Sequence, residues 1–295
     1  MRVIVKLVKT IGLLTALLTT LAIAPIASAA TSPTLGAAST FVILSDTYSN
    51  TVSGTTLNGD LGYTTPPAVN PTVNGATHQA DSVYNQAGID QNNALIALNN
   101  QECSFEFAPG PIDLAGDTTH GPVGTYTPGV YCISGAASIG GGGTITLNGA
   151  GAYIFRMDGA LTTSAGSSVV LAGSASACDV WWTPTQSTTI GANSTFAGTD
   201  LDASGITIGS TVNWTGQALA FGGTVTTDTD TIAAPVCSPD RALTPTSPET
   251  TGSGSGFIPG LPNTSGVSNV YDFAWILVPI LVIALATVAI VRRKA

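Results

Sequence analysis

The chain has 295 residues, with 17 Asp and Glu against 8 Lys and Arg and a formal net charge of −9. Between residues 31 and 237 the imbalance is sharper, at 14 acidic side chains and one basic one, Arg156. So little positive charge leaves no footprint for nucleic acid or anionic lipid, whose phosphates are held mainly by Lys and Arg, whereas such acidity suits a solubilised extracellular surface.

In chain order, residues 1–30 read as a secretory signal. Arg2, Lys6 and Lys9 precede an apolar run from Ile11 to Ile26, and Ala27-Ser28-Ala29 supplies the small-residue pattern of a cleavage site. Residues 31–237 follow as one domain of short β-prone runs broken by glycine. One segment, 78–101, differs: Val83, Ala87, Ala94, Ala97 and Leu98 recur at helical intervals, which predicts one apolar stripe on a helix. Gly88 weakens that helix by about 1 kcal/mol relative to alanine.

The β region then repeats itself in four passes, 153–173, 179–198, 199–216 and 217–232. Each opens on an apolar run (Tyr153-Ile154-Phe155, Val180-Trp181-Trp182, the weaker Leu201, then Ala218-Leu219-Ala220-Phe221) and turns into a threonine strand. The first three continue into a third short strand containing Val169, Phe196 or Val212. This is the pattern of a β-solenoid with a triangular section, the fold being mainly β with one long α-helix on a face. Because strand side chains alternate in and out, aligning the passes puts Thr162, Thr189, Thr207 and Thr226 in one outward column, ~4.7–4.9 Å apart from coil to coil. Ser164, Gly191, Gly209 and Asp228 lie beside it, all small except Asp228. A second, less regular column runs through Thr144, Ser168, Thr195 and Thr211 on the third face.

Cys103, Cys132, Cys178 and Cys237 form an even set in an exported domain, which implies two disulfides. Among the three possible connectivities, Cys103–Cys132 with Cys178–Cys237 would tie each segment end back to the sheet. Metal-ligand spacing is absent and no cofactor motif is present. His78 and His120 are the only histidines. Asp200 and Asp202 share a strand side, an arrangement open to a glycosidase pair, but nothing else supports catalysis and the chain reads as a non-enzyme.

Residues 238–272 change character. Pro239, Pro245, Pro248, Pro259 and Pro262 alternate with Thr, Ser and Gly in an extended linker. It ends in Leu261-Pro262-Asn263-Thr264-Ser265-Gly266, which resembles the L-P-x-T-G sorting signal of sortase substrates, with Ser265 where that family has glycine. Residues 273–291 read as a transmembrane helix, apolar and long enough to span a bilayer. Arg292-Arg293-Lys294 after them predicts a cytoplasmic tail at 292–295. These ends imply export and C-terminal anchoring on the outer face of the envelope, in the membrane or on the cell wall.

Several motifs occur in the order found in the microbial ice-binding protein family: Leu35-Gly36-Ala37-Ala38, Phe41-Val42-Ile43-Leu44, Asn58-Gly59-Asp60-Leu61-Gly62, Pro128-Gly129-Val130-Tyr131-Cys132, Ile154-Phe155-Arg156 and Val180-Trp181-Trp182. Residues 34–234 resemble that family throughout. The resemblance implies a discontinuous solenoid, with first and last strands sharing a sheet system and a long helix along one face. It also implies ice as the partner of a flat Thr/Ser/Gly face, here the column Thr162, Ser164, Thr189, Thr207 and Thr226, with the Thr144, Ser168, Thr195 and Thr211 column as the alternative. The alternative from the same features is a surface adhesin or structural module for a glycan or protein ligand.

Overall fold

The computed structural model describes residues 29–237. Residues 1–28 of the expected signal, the linker 238–272 with its sorting motif, the apolar segment 273–291 and the tail 292–295 lie outside the described residues. Among the described residues, no helix is long and apolar enough to cross a membrane.

Five strands come first: β1 (Phe41–Asn50), β2 (Thr56–Asn58), β3 (Asp60–Tyr63), β4 (Thr72–Val73) and β5 (Thr77–Gln79). The helix α1 (Ser82–Asn99) follows. After it, β6 (Phe105–Glu106), β7 (Ile112–Asp113) and β8 (Thr125–Tyr126) make a loose first coil. The regular coils are β9 (Gly129–Ile133), β10 (Ala137–Ile139) and β11 (Thr144–Asn148), then β12 (Tyr153–Met157), β13 (Leu161–Thr163) and β14 (Ser168–Ala172). The last ones are β15 (Val180–Pro184), β16 (Thr188–Ile190), β17 (Thr195–Leu201), β18 (Ile206–Ile208), β19 (Asn213–Thr227) and β20 (Thr231–Ala233). Residue by residue, the threonine strands of the four passes stand where the sequence puts them.

Every ladder between these strands is parallel, and they stack into three faces. The first face runs β6, β9, β12, β15, the end of β17, the middle of β19, the start of β1, β3, β5. The second runs β7, β10, β13, β16, β18, the end of β19, the end of β1. The third runs β8, β11, β14, the start of β17, the start of β19, β20, β2, β4. The N-terminal strands therefore complete the stack beyond the C-terminal ones: β1 pairs with β19 and β2 with β20. The chain starts at one end, crosses to the other as α1, and winds back, so the solenoid is discontinuous.

Strand alternation fills the interior. Tyr131, Phe155 and Trp182 stack coil on coil, with ring centroids 5.1 Å and 4.4 Å apart, and Phe196 meets Trp214 edge-on at 4.9 Å. The first face is apolar outside as well. Val130, Ile154, Trp181, Leu201 and Leu219 form a second buried cluster with Tyr84, Ala87, Ala94 and Leu98 of α1. Burial of both sides of this face explains its continuous apolar runs.

The helix is shorter than the sequence suggests, because β5 takes residues 77–79 and Asp81 accepts the Tyr84 N–H at 2.8 Å as N-cap. Its buried stripe is Tyr84, Ala87, Gly88, Gln91, Ala94 and Leu98. Val83 and Ala97, expected on that stripe, face outward. The Gly88 signal has a packing reason. A Cβ there would lie 2.3 Å from Cε2 of Phe221, so glycine lets the helix settle on that ring. Disulfides join Cys103 to Cys132 and Cys178 to Cys237, with Cα atoms 5.8 Å and 5.7 Å apart. The first ties the chain leaving α1 to the sheet, and the second fastens the end of the domain.

Candidate functional site

Helix α1 covers the first face, leaving the second and third as the flat surfaces of the solenoid. On the second, Thr162, Thr189, Thr207 and Thr226 stand in one register row. Ser138 and Asp113 extend it on one side and Ser49 on the other. Thr162, Thr189 and Thr207 are exposed, while Thr226 is half-buried. Ser164 stands at the corner, where its Oγ accepts the Gly141 N–H at 3.1 Å. The face is narrow: β10, β13, β16 and β18 are three residues long. Each therefore presents one outward side chain between two inward ones. Asp113 closes one end of the row and Asp228 stands at the corner beyond Thr226.

The third face is wider. Thr144, Ser168, Thr195, Asn213, Thr231, Thr56 and Thr72 form one continuous register row across seven strands. Asn213, rather than the expected Thr211, holds the fourth position. Thr211 lies in the corner before β19 with φ +60°, and its hydroxyl donates to Oδ1 of Asn193 at 2.6 Å. A second row lies two residues along each strand, roughly 6.6 Å away at strand rise. It runs in two stretches, Thr125, Thr146 and Val170 on one side and Thr215, Ala233 and Asn58 on the other, interrupted at Ala197, which is buried in the core. Neither row holds a charged side chain. Asn213, Thr215, Thr231, Thr56, Asn58 and Thr72 were not singled out from sequence. A usable signal was the recurring triplet of Thr or Asn around one apolar residue, as in Thr56-Leu57-Asn58, Thr144-Ile145-Thr146 and Asn213-Trp214-Thr215.

Repeated corners hold the second and third faces at a fixed angle. Gly166, Asn193, Thr211 and Thr229 occupy the same place in successive coils, with φ of +74°, +58°, +60° and +58°. Behind them, buried polar groups tie the backbone from inside. Ser167 Oγ donates to Ile139 O at 2.9 Å, and Ser194 Oγ to Ser164 O at 3.3 Å. Asp230 accepts Val212 N–H at 2.9 Å and Asp228 N–H at 2.7 Å. Burial pushes the Asp230 carboxyl up to about 6, against the lowering effect of these two bonds. Such bonding makes both faces rigid.

The arrangement offers little for catalysis. Trp181, Trp182 and Trp214 are buried. His120 is stacked on Tyr126 at 3.9 Å and bonded to Asp117 and to Thr125 O. His78 pairs with Asp81 at the start of α1. Asp200 and Asp202 share a strand side as expected, but it is the inner side, and both are fully buried. No solvent-exposed substrate reaches them there. Among the described residues, no group of three or more His, Cys, Asp or Glu is arranged to hold a metal ion.

A discontinuous parallel β-solenoid with a helix along one face and flat Thr-rich faces elsewhere defines the class. Residues 34–233 match the ice-binding-like family model, and the chain belongs to that family. A protein of Nostoc sp. strain HG1, named as an ice-binding protein, is 31% identical over 219 residues, 70% of this chain and 76% of the relative. The crystal structure of an ice-binding protein from the Antarctic ascomycete Antarctomyces psychrotrophicus aligns with TM-score 0.60 and 27% identity, covering 69% of this chain and 98% of that one. An ice-binding protein from an Antarctic biological consortium aligns with TM-score 0.62 and 27% identity, covering 71% and 94%.

Proposed function

We propose that this is an exported protein, held by its C-terminus at the outer face of the cell envelope, that binds ice through its third face. The observation carrying the choice of face is its continuous, uncharged row of small polar and methyl-bearing residues across seven strands, flanked along part of its length by a second such row. Membership of the ice-binding-like family supports the activity. The Thr162–Thr226 row on the second face is the narrower alternative.

The mechanism follows from rigidity and spacing. Rows one strand apart repeat every ~4.7–4.9 Å, comparable to distances in the ice lattice. Threonine methyls hold water weakly, while hydroxyls and Asn amides hydrogen-bond a surface layer ordered like ice. Each contact is weak, so affinity comes from area and from side chains already ordered before binding. Adding a large flexible side chain lifts part of the patch off the lattice plane.

The anchoring half rests on the apolar run 273–291, its basic tail and the Leu261-Pro262-Asn263-Thr264 motif. A tethered copy protects little surrounding volume, so holding the cell to ice, or blocking ice growth at the envelope, is the role that fits. Truncation after Cys237 should release the domain into the medium; a truncated protein that stays with the cells refutes C-terminal anchoring.

The deciding experiment is ice affinity purification of fragment 31–237 with its disulfides intact, followed by thermal hysteresis and crystal shape. Enrichment in ice with faceted crystals is expected. Thr195→Tyr and Thr231→Tyr should abolish it, whereas Thr207→Tyr should not. Loss confined to Thr207→Tyr moves the site to the second face. Exclusion of well-folded fragment from ice replaces the ice reading with the adhesin one.

A further inference from the structure

The interior of this solenoid is largely apolar, and the carboxyl buried at one corner, Asp230, is held by two backbone N–H groups. A second corner differs. Strand alternation sends Asp200 inward, between its register partners Trp182 and Ala218. Asp202 follows two residues on, and both carboxyl groups are 0% exposed. Thr188 is also 0% exposed. It occupies an inward position that Ile206 and then Val225 fill in the next two coils.

Four oxygens meet at this corner without a hydrogen-bond partner: Oδ1 and Oδ2 of Asp200, Oδ2 of Asp202 and Oγ1 of Thr188. The other Asp202 oxygen accepts the Ser204 N–H at 2.8 Å. The Thr188 hydroxyl faces both carboxyl groups, and the backbone N–H groups of Thr188 and Gly205 face that of Asp202. No basic group balances them. Arg156 is the one Lys or Arg between residues 31 and 237, and its Nη1 donates to Gln101 O instead. Two buried carboxylates with no counter-charge, three of whose four oxygens lack a hydrogen-bond partner, are strongly unfavourable, and apolar residues of similar volume would serve the core better. Their presence points to an occupant.

The donors define its chemistry. Two carboxylates and a hydroxyl are hard oxygen ligands, with no free thiol at hand, since all four cysteines are paired. Such a set selects a calcium-like cation over zinc or copper. Two negative charges match a divalent ion. Magnesium, which gives up its water reluctantly, suits a closed interior less well than calcium, which takes carbonyl and irregular oxygen ligands. Ala218 and Ala220, the inward residues of the adjoining stretch of β19, leave small side chains on that side.

We propose that Asp200, Asp202 and Thr188 form a buried site for one calcium-class cation, captured as the coils close on each other. The site is independent of ice binding; it would lock the coil that carries Thr189 and Thr195, one residue of each flat face.

The test uses the full-length chain, unfolded and refolded in metal-free buffer with either calcium or EDTA. Elemental analysis after gel filtration should find one tightly held equivalent of calcium, and the calcium-loaded protein should melt at a higher temperature. Thr188→Val, which keeps the shape and removes one ligand, should fold and hold calcium at least about tenfold more weakly. Asp200→Asn should lose the ion altogether; should that variant fail to fold, Thr188→Val alone decides. Absence of stoichiometric calcium with identical melting in EDTA overturns the site, and the two carboxyl groups then share a proton. Unchanged calcium affinity in Thr188→Val, or preferential uptake of zinc, overturns it equally.

Discussion

Replacing Gly88 by alanine sets local helix preference against tertiary contact, and the structure decides the sign. In an isolated helix the change stabilises by about 1 kcal/mol. Here the new Cβ would lie 2.3 Å from Cε2 and 2.4 Å from Cδ2 and Cζ of Phe221, against an ordinary carbon contact of roughly 3.5–4.0 Å. The ring cannot swing freely, because it packs on Tyr84 with centroids 5.1 Å apart, and its backbone N–H is held by Gln91 Oε1 at 3.2 Å. Helix or ring must move by roughly an ångström or more, and overpacking of this kind typically costs about 1–3 kcal/mol. With a shift this large the cost sits toward the upper end, for a net loss of roughly 1–2 kcal/mol. That corresponds to a fall in Tm of about 2–8 °C for a domain of this size. Urea and thermal unfolding of Gly88→Ala, Phe221→Ala and the double variant measure it. In the Phe221→Ala background the same Gly88 change should stabilise instead, by about 1 kcal/mol. A single Gly88→Ala variant as stable as the parent or more so refutes the packing account.

Acidity provides a second check. Asp230 has its folded pKa raised from 3.8 to about 6 by burial. A carboxyl raised in this direction favours the folded state below its unfolded pKa, and that advantage is lost as pH rises from about 4 through about 6. The size is roughly 3 kcal/mol from a shift of about two pH units. Relative to Asp230→Asn, the parent should therefore lose stability between pH 4 and pH 7; a difference independent of pH in denaturant titrations refutes it. The disulfides close loops with sequence separations of 29 and 59. Loop entropy makes them worth roughly 3.5 and 4 kcal/mol, so reduction under native conditions should lower Tm by ten degrees or more, and an unmoved Tm would show that other contacts hold the ends.

The separate fates of the two threonine columns show how far local pattern reaches. Thr162, Thr189, Thr207 and Thr226 could be aligned from sequence because the first three sit in three-residue strands set off by small turns and Thr226 near the end of the long β19 keeps the same offset. The third-face column slipped at Thr211. There the chain spends a residue in a left-handed corner before the strand begins, and a period-two pattern carries no mark of that. The helix was legible in type because alanine and leucine recur at helical spacing. Its buried stripe was read off target at Val83 and Ala97, since an alanine-rich helix is apolar over more of its circumference than it buries.

What the sequence by itself determined is whatever follows from neighbours along the chain. Alternating strands, glycine corners and a capped helix are local choices, and their order suffices for a solenoid. The cysteines and the family motifs were likewise visible without coordinates. Only the tertiary structure decided what rests on residues far apart meeting. Thr56 lies beside Thr231, which lengthens the third face by two strands and makes it the broader surface. The same stacking turns Asp200 and Asp202 into the core. Parallel hydrogen-bond ladders pair strands through space regardless of their separation in sequence, so the faces they build exist only once the first strands have closed on the last.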